Sequence, residues 1–109
     1  MNKYFARRTE RDGIKFDSEA EAARYCQLRL LERAGHITEL RRQVPFELVP
    51  AEKDMNGKKL RALVYRADFV YRDNYGALHV EDVKGVRTAV YKLKKRLMWH
   101  IHGIEIEET

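Results

Sequence analysis

The chain has 109 residues, 44% of them hydrophobic and 36% charged, with 22 Lys and Arg against 17 Asp and Glu for a formal net charge of +5. This is the length of one domain with enough apolar residues for a packed core, which excludes a multi-domain machine and a disordered tail. No run nears the roughly 18–20 apolar residues of a membrane span, the basic start MNKYFARRTERDG has no apolar signal core, and the single cysteine, Cys26, excludes an intrachain disulfide and a cysteine-based zinc cage. A reducing cytoplasm is the expected setting. The positive surplus suits a polyanionic partner without requiring one.

Residues 1–13 read as a polar, basic arm. Ser18 with Glu21 three positions on has the capping-box spacing, and Ala22, Tyr25, Leu28 and Leu31 recur every three residues up to the terminator Gly35. Together they predict a helix over 18–34. Residues 36–42 are ambiguous. Residues 43–49 read as a strand, and Asn56-Gly57 marks a turn within a charged stretch. A long strand follows over 60–71, rich in Val64, Tyr65, Phe69, Val70 and Tyr71. Asp73-Asn74-Tyr75-Gly76 closes a hairpin into a strand over 77–83, which Gly85 breaks. Thr88 caps a second helix reaching His102, with Val90, Leu93, Leu97 and Ile101 as its expected core stripe. Gly103 ends it, and Ile104-Glu105-Ile106-Glu107 alternates like a last strand. The order is αβββαβ, an α/β (α+β) fold in a single domain with a mixed sheet flanked by helices.

Four charged residues occupy costly positions in this frame. Asp68 lies inside the most β-prone run, where propensity and burial both select against it. Asp82 and Lys84 share one strand face, about 6.5–7 Å apart, while Glu81 and Val83 face the other way. Hairpin pairing about position 75 sets Asp68 opposite Asp82. Two adjacent carboxylates repel unless a positive charge neutralises them, and an oxygen-liganded divalent cation is the usual resolution. Lys84 is close enough to orient or deprotonate a water. Glu21 falls on the sheet-facing stripe of the first helix, about 20° from Leu28. Bland alternatives stand beside this reading: an exposed Asp82–Lys84 ion pair, Asp68 at a bulge facing water, Glu21 as a capping residue only.

Asp68, a thirteen-residue spacer and Asp82-Val83-Lys84, within αβββαβ and with a glutamate on the first helix, resemble the PD-(D/E)XK nuclease superfamily. More narrowly, Lys15-Phe16-Asp17-Ser18-Glu19-Ala20-Glu21-Ala22, Ala67-Asp68-Phe69 and Val80-Glu81-Asp82-Val83-Lys84-Gly85 resemble a family of small phage proteins regarded as Holliday-junction resolvases. The resemblance implies a restriction-endonuclease-like core and Mg²⁺-dependent hydrolysis of DNA phosphodiesters to 5′-phosphate and 3′-hydroxyl ends. Asp68, Asp82 and the Val83 carbonyl would hold Mg²⁺, for which Mn²⁺ would substitute. Glu21 would complete the shell directly or through water, and Lys84 would position the attacking water. It also implies a homodimer acting on a four-way junction, in a host cytoplasm if phage-encoded.

Opposite the expected apolar stripe of the second helix lie Lys92, Lys95, Arg96 and Trp99, a face suited to phosphates, with Trp99 stacking on an exposed base or packing at an interface. Arg87, Lys58 and Lys59 are further DNA-binding candidates, beside Arg7, Arg8, Arg41, Arg42 and Arg61. Positives spread over several loops suit recognition by shape rather than sequence. His79, His100 and His102 lack metal-ligand spacing and read as structural or surface residues. The alternatives to a junction resolvase are a non-catalytic basic DNA-binding module and a duplex endonuclease of restriction or transposition type.

Overall fold

The computed structural model describes residues 8–84 and 86–109. A short hairpin of β1 (Thr9–Arg11) and β2 (Ile14–Phe16) leads into α1 (Glu19–Arg33). Next come β3 (Ile37–Val49), a small hairpin of β4 (Glu52–Lys53) and β5 (Lys59–Leu60), β6 (Leu63–Asp73) and β7 (Leu78–Asp82). Helix α2 (Ala89–Leu97) continues through a π-helical turn, Met98–His102, and β8 (Glu107–Glu108) ends the chain. The central sheet has the order β3-β6-β7-β8 and is mixed: β3, β6 and β7 pair antiparallel, while β8 joins β7 in parallel. The expected αβββαβ order is therefore present. No helix among the described residues is long and apolar enough to cross a membrane.

Local chemistry accounts for the element ends. The Ser18 hydroxyl accepts from the Glu21 N–H at 3.1 Å and the Thr88 hydroxyl from the Tyr91 N–H at 3.1 Å, each capping a helix N-terminus. At the β6–β7 turn, the Asp73 carboxylate accepts from the Tyr75 and Ala77 N–H groups, and Gly76 takes the left-handed φ of 79° the turn needs.

Successive residues of β6 feed opposite faces of the sheet. Phe69 and Tyr71 pack with Phe16, Ala22, Tyr25, Leu28 and Ile37 under α1. Val70 packs with Val80, Tyr91, Met98 and Ile106 under α2. One helix thus covers each face. Truncating a fully buried ring such as Phe69 to Ala would cost about 3–5 kcal/mol.

Several expectations need correction. From Thr9 on, the expected arm is a hairpin, because Gly13 and Asp12 take left-handed conformations that allow β1 to fold back on β2; residues 1–7, including Arg7, lie outside the described residues, as does Gly85. The ambiguous stretch belongs to β3, whose extra length is absorbed by a register shift at Glu39 with φ 57°. Leu60 pairs in the small hairpin and not in β6. The last strand begins only at Glu107, since Ile104 and Ile106 pack beneath α2. Leu31 is exposed. The largest correction concerns α2. Val90 and Leu93 are 62% and 60% exposed and Ile101 is also exposed, while Tyr91 and Met98 are buried. The helix is turned so that a flank of its apolar stripe faces outward, and the core contact is the row between the apolar and basic faces.

His79 ties the C-terminal strand to the frame. Its Nδ1 lies 2.8 Å from Glu107 and its Nε2 2.8 Å from Asp73, and its ring stacks on Tyr71. The hydrogen bond to Asp73, seconded by Glu107, raises its pKa. The folded state therefore holds the proton more tightly, so this contribution is full below the ordinary value and is lost as pH rises through the raised one. His79→Ala is expected to lose more stability at about pH 6 than at about pH 9, read by chemical denaturation at both values.

Candidate active site

Four polar residues stand at one level across the sheet. Gln43 falls between the pairs Arg42–Phe69 and Val44–Ala67, which sets it against Asp68. Strands β6 and β7 pair about position 75, as the turn predicts, and one step beyond Phe69–Glu81 that register sets Asp68 opposite Asp82. Asp82 in turn pairs with Glu108. Gln43 has a left-handed φ of 52°, unusual for a residue with a side chain, and such strain gathers at functional positions.

The first turn of α1 adds Glu21. It is buried, as its place on the helix stripe predicts. Its backbone N–H meets the Ser18 cap, but its carboxylate is not used in capping: Oε1 lies 3.3 Å from Gln43 Nε2 and 3.6 Å from Arg42 Nη2. The Gln43 amide also donates to Asp68 Oδ1 at 3.2 Å and so bridges the two carboxylates. Asp68 Oδ2 accepts from the Val83 N–H at 2.8 Å. Arg42 is held with its guanidinium 4.4 Å over the Phe16 ring.

Asp82 is buried too. Its Oδ2 accepts from the Tyr65 hydroxyl at 2.5 Å and its Oδ1 lies 2.9 Å from Lys84 Nζ. The Lys84 ammonium also sits 4.0 Å over the Tyr91 ring. Tyr91 is fixed by a 2.7 Å bond to Glu108, which Arg87 and Lys95 also reach at 2.8 and 3.1 Å. Those hydrogen bonds, Tyr91 first, hold Glu108 down to about 2. Asp82–Lys84 is therefore no exposed surface pair. Glu81, which the alternation turns away from Asp82 and Lys84, is engaged elsewhere, by Arg24 through two 2.7 Å bonds and by the Tyr71 hydroxyl.

The charges do not balance. Burial pushes Asp68 up to about 7, with the negative charges of Asp82 and Glu21 adding to it and the Val83 N–H opposing. Burial also raises Glu21, with Asp17 adding and Arg42 and Gln43 opposing. Burial and the Asp82 hydrogen bond keep Tyr65 a neutral donor. The three carboxylates thus have two cations in direct contact, Arg42 and Lys84, and the raised Asp68 marks a place that favours further positive charge.

Glu21, Asp68, Asp82 and Lys84 all line one open cleft of about 1100 Å³, with Arg8, Arg24 and Arg66 also on its wall. The structure therefore brings the four expected residues together. The expected DNA contacts scatter more widely. Arg87 and Lys95 are tied to Glu108, Lys92 and Arg96 stand exposed on α2, and Lys58 and Lys59 lie on the small hairpin away from the cleft lining. Tyr65 is a site residue that pattern reasoning did not supply, and for Gln43, near the strand entry, the sequence leaves open whether it reaches the site. Tyr65 reads in the sequence only as a strand former, and Gln43 acts through a backbone twist that no periodicity announces.

Among the described residues no three of His, Cys, Asp and Glu close around one point as a ready-made cage. The oxygen-only donors, the adjacent carboxylates of Asp68 and Asp82 with the neighbouring Val83 carbonyl, nonetheless fit Mg²⁺, which keeps several waters and is commonly bound through one or two carboxylates plus substrate phosphates.

Over residues 1–107 the chain matches the family described as Protein of unknown function (DUF1064). No curated protein matches it.

The raised Asp68 makes the charged form costly to fold, so its contribution to stability falls as pH rises from about 4 to about 7. Asp68→Asn is expected to raise the melting temperature in EDTA at about pH 8, with little gain at about pH 4. Calorimetric scans at the two values check it.

Proposed function

The chain belongs to the family of unknown function DUF1064, and from its site we propose that it is a Mg²⁺-dependent endonuclease of branched DNA. A four-way junction is the expected substrate, 5′-phosphate and 3′-hydroxyl ends the expected products, and a homodimer the acting form. The observation that carries the reading is the Asp68–Asp82 pair with the Lys84 ammonium 2.9 Å from Asp82 on the wall of an open cleft. The αβββαβ order and the Asp82-Val83-Lys84 motif support assignment to the PD-(D/E)XK superfamily.

In this proposal Asp68, Asp82 and the Val83 carbonyl hold the metal, and Glu21 completes the shell directly or through water. A bound Mg²⁺ supplies charge for the scissile phosphate and lowers the pKa of a water. The residues of the chain supply position. Gln43 sets the distance between Glu21 and Asp68 through its two hydrogen bonds. The Val83 N–H fixes the Asp68 carboxylate. Lys84, steadied by Asp82 and the Tyr91 face, presents ammonium protons to the attacking water. The basic residues along α2 contact the phosphate backbone, which positions DNA without reading its sequence.

A labelled four-way junction with Mg²⁺ is expected to be nicked symmetrically. Asp68→Ala, Asp82→Ala and Lys84→Ala are each expected to slow nicking by at least about a hundredfold while junction binding in EDTA persists. Wild-type rates in all three would overturn the site. Binding that never yields nicks marks a non-catalytic module, and equal cutting of linear duplex marks a duplex endonuclease.

A further inference from the structure

Beyond the cleft, α2 carries a second concavity on its basic side. It encloses about 420 Å³ and is lined by Lys92, Lys95, Arg96, Trp99, Glu105 and Ile106. That volume lies within the range of small-ligand clefts, about 300–1,000 Å³. Trp99, the only tryptophan of the chain, is 56% exposed there. Its ring can therefore stack on a partner without first leaving the core. Ile106, nearly fully buried, is the apolar member of the lining beside it. Lys95 is tied to Glu108, but the Lys92 and Arg96 side chains make no ion pair or hydrogen bond among the described residues and remain available.

An aromatic face flanked by unpaired cations matches one chemistry closely: a flat, uncharged ring carried on an anionic backbone. We infer that this concavity stacks an unpaired DNA base on Trp99 while Lys92 and Arg96 hold the adjoining phosphates. The inference rests on the endonuclease reading for the identity of the polymer, and it names the substrate class: DNA with single-stranded character beside the duplex that is cut. Stacking on an aromatic ring is tolerant of sequence, which agrees with recognition by shape. A second copy of this chain is disfavoured as the occupant, because it carries a net charge of +5 and would bring positive charge to a positive surface. Thr88, the cap of α2 that lines the cleft, and Trp99, in the π-helical turn that continues α2, are eleven positions apart, about 16 Å at 1.5 Å per residue. That distance corresponds to about five stacked nucleotides at 3.4 Å each. A strand cut in the cleft can therefore run along α2 and deliver its unpaired end to Trp99.

The single tryptophan makes the test direct. In EDTA, with Asp82→Ala as the chain so that no cutting is needed, a short oligothymidylate is expected to quench the selectively excited Trp99 emission saturably. A blunt duplex of equal length is expected to quench weakly. Trp99→Ala is expected to bind labelled oligothymidylate roughly ten- to hundredfold more weakly by anisotropy, with Trp99→Phe retaining most of the affinity. The Lys92→Ala, Arg96→Ala double variant is expected to reduce the salt slope by about 1.4. Oligothymidylate binding without a change in Trp99 emission overturns the inference, as does undiminished affinity in Trp99→Ala. Emission that changes with protein concentration alone also overturns it and marks Trp99 as a contact between copies. A failure here with Mg²⁺-dependent nicking intact removes the stacking site and leaves the endonuclease. Quenching without nicking by the wild-type chain does the reverse.

Discussion

Two carboxylates on neighbouring strands, Asp68 and Asp82, impose the condition that the rest of the site answers. Asp82 is buried and Asp68 half-buried, and burial together with the Asp82 charge raises the cost of charging Asp68. A chain of this size gains only a small net stability from folding, so a concentrated negative cluster must be compensated locally or be required for function. Tyr65, Lys84, Gln43 and the Val83 N–H provide the compensation, yet Asp68 still holds its proton up to about 7. This remaining imbalance is the physical case for a cation.

The support extends through the fold. Glu108, on the parallel edge strand, gathers Tyr91, Arg87 and Lys95, and Tyr91 then presents its ring to Lys84. The C-terminal strand thus reaches the site through a tyrosine and a lysine. His79 secures that same strand from its other side through Glu107. Helix α2 divides its circumference among three tasks: Tyr91 and Met98 enter the core, Lys92, Arg96 and Trp99 form a basic aromatic face, and Val90, Leu93 and Ile101 stay exposed.

Much of this was legible in the sequence for definite physical reasons. Caps, glycine terminators and hairpin turns act over a few residues, so both helices and the β6–β7 register could be read, and the register then placed Asp68 against Asp82. Helical spacing placed Glu21 on the buried face. The parts that escaped depend on tertiary choices. Periodicity identifies an apolar stripe on α2 but cannot say whether it meets the sheet or water, and here Tyr91 and Met98 take the core position. Gln43 enters the site because its backbone turns left-handed between regular pairs, a strain that the surrounding sheet enforces and no residue pattern encodes. Tyr65 looks like any aromatic strand former until the fold brings its hydroxyl to Asp82.

The central claim is that the Asp68–Asp82 pair is a cation site. Calorimetric titration of Mn²⁺ into the chain at about pH 8 tests it most directly, at a pH where Asp68 is ionised. Saturable binding by the wild type, lost in both Asp68→Ala and Asp82→Ala, is the predicted result. Binding that survives unchanged in those variants, or no binding by the wild-type chain, would contradict the account.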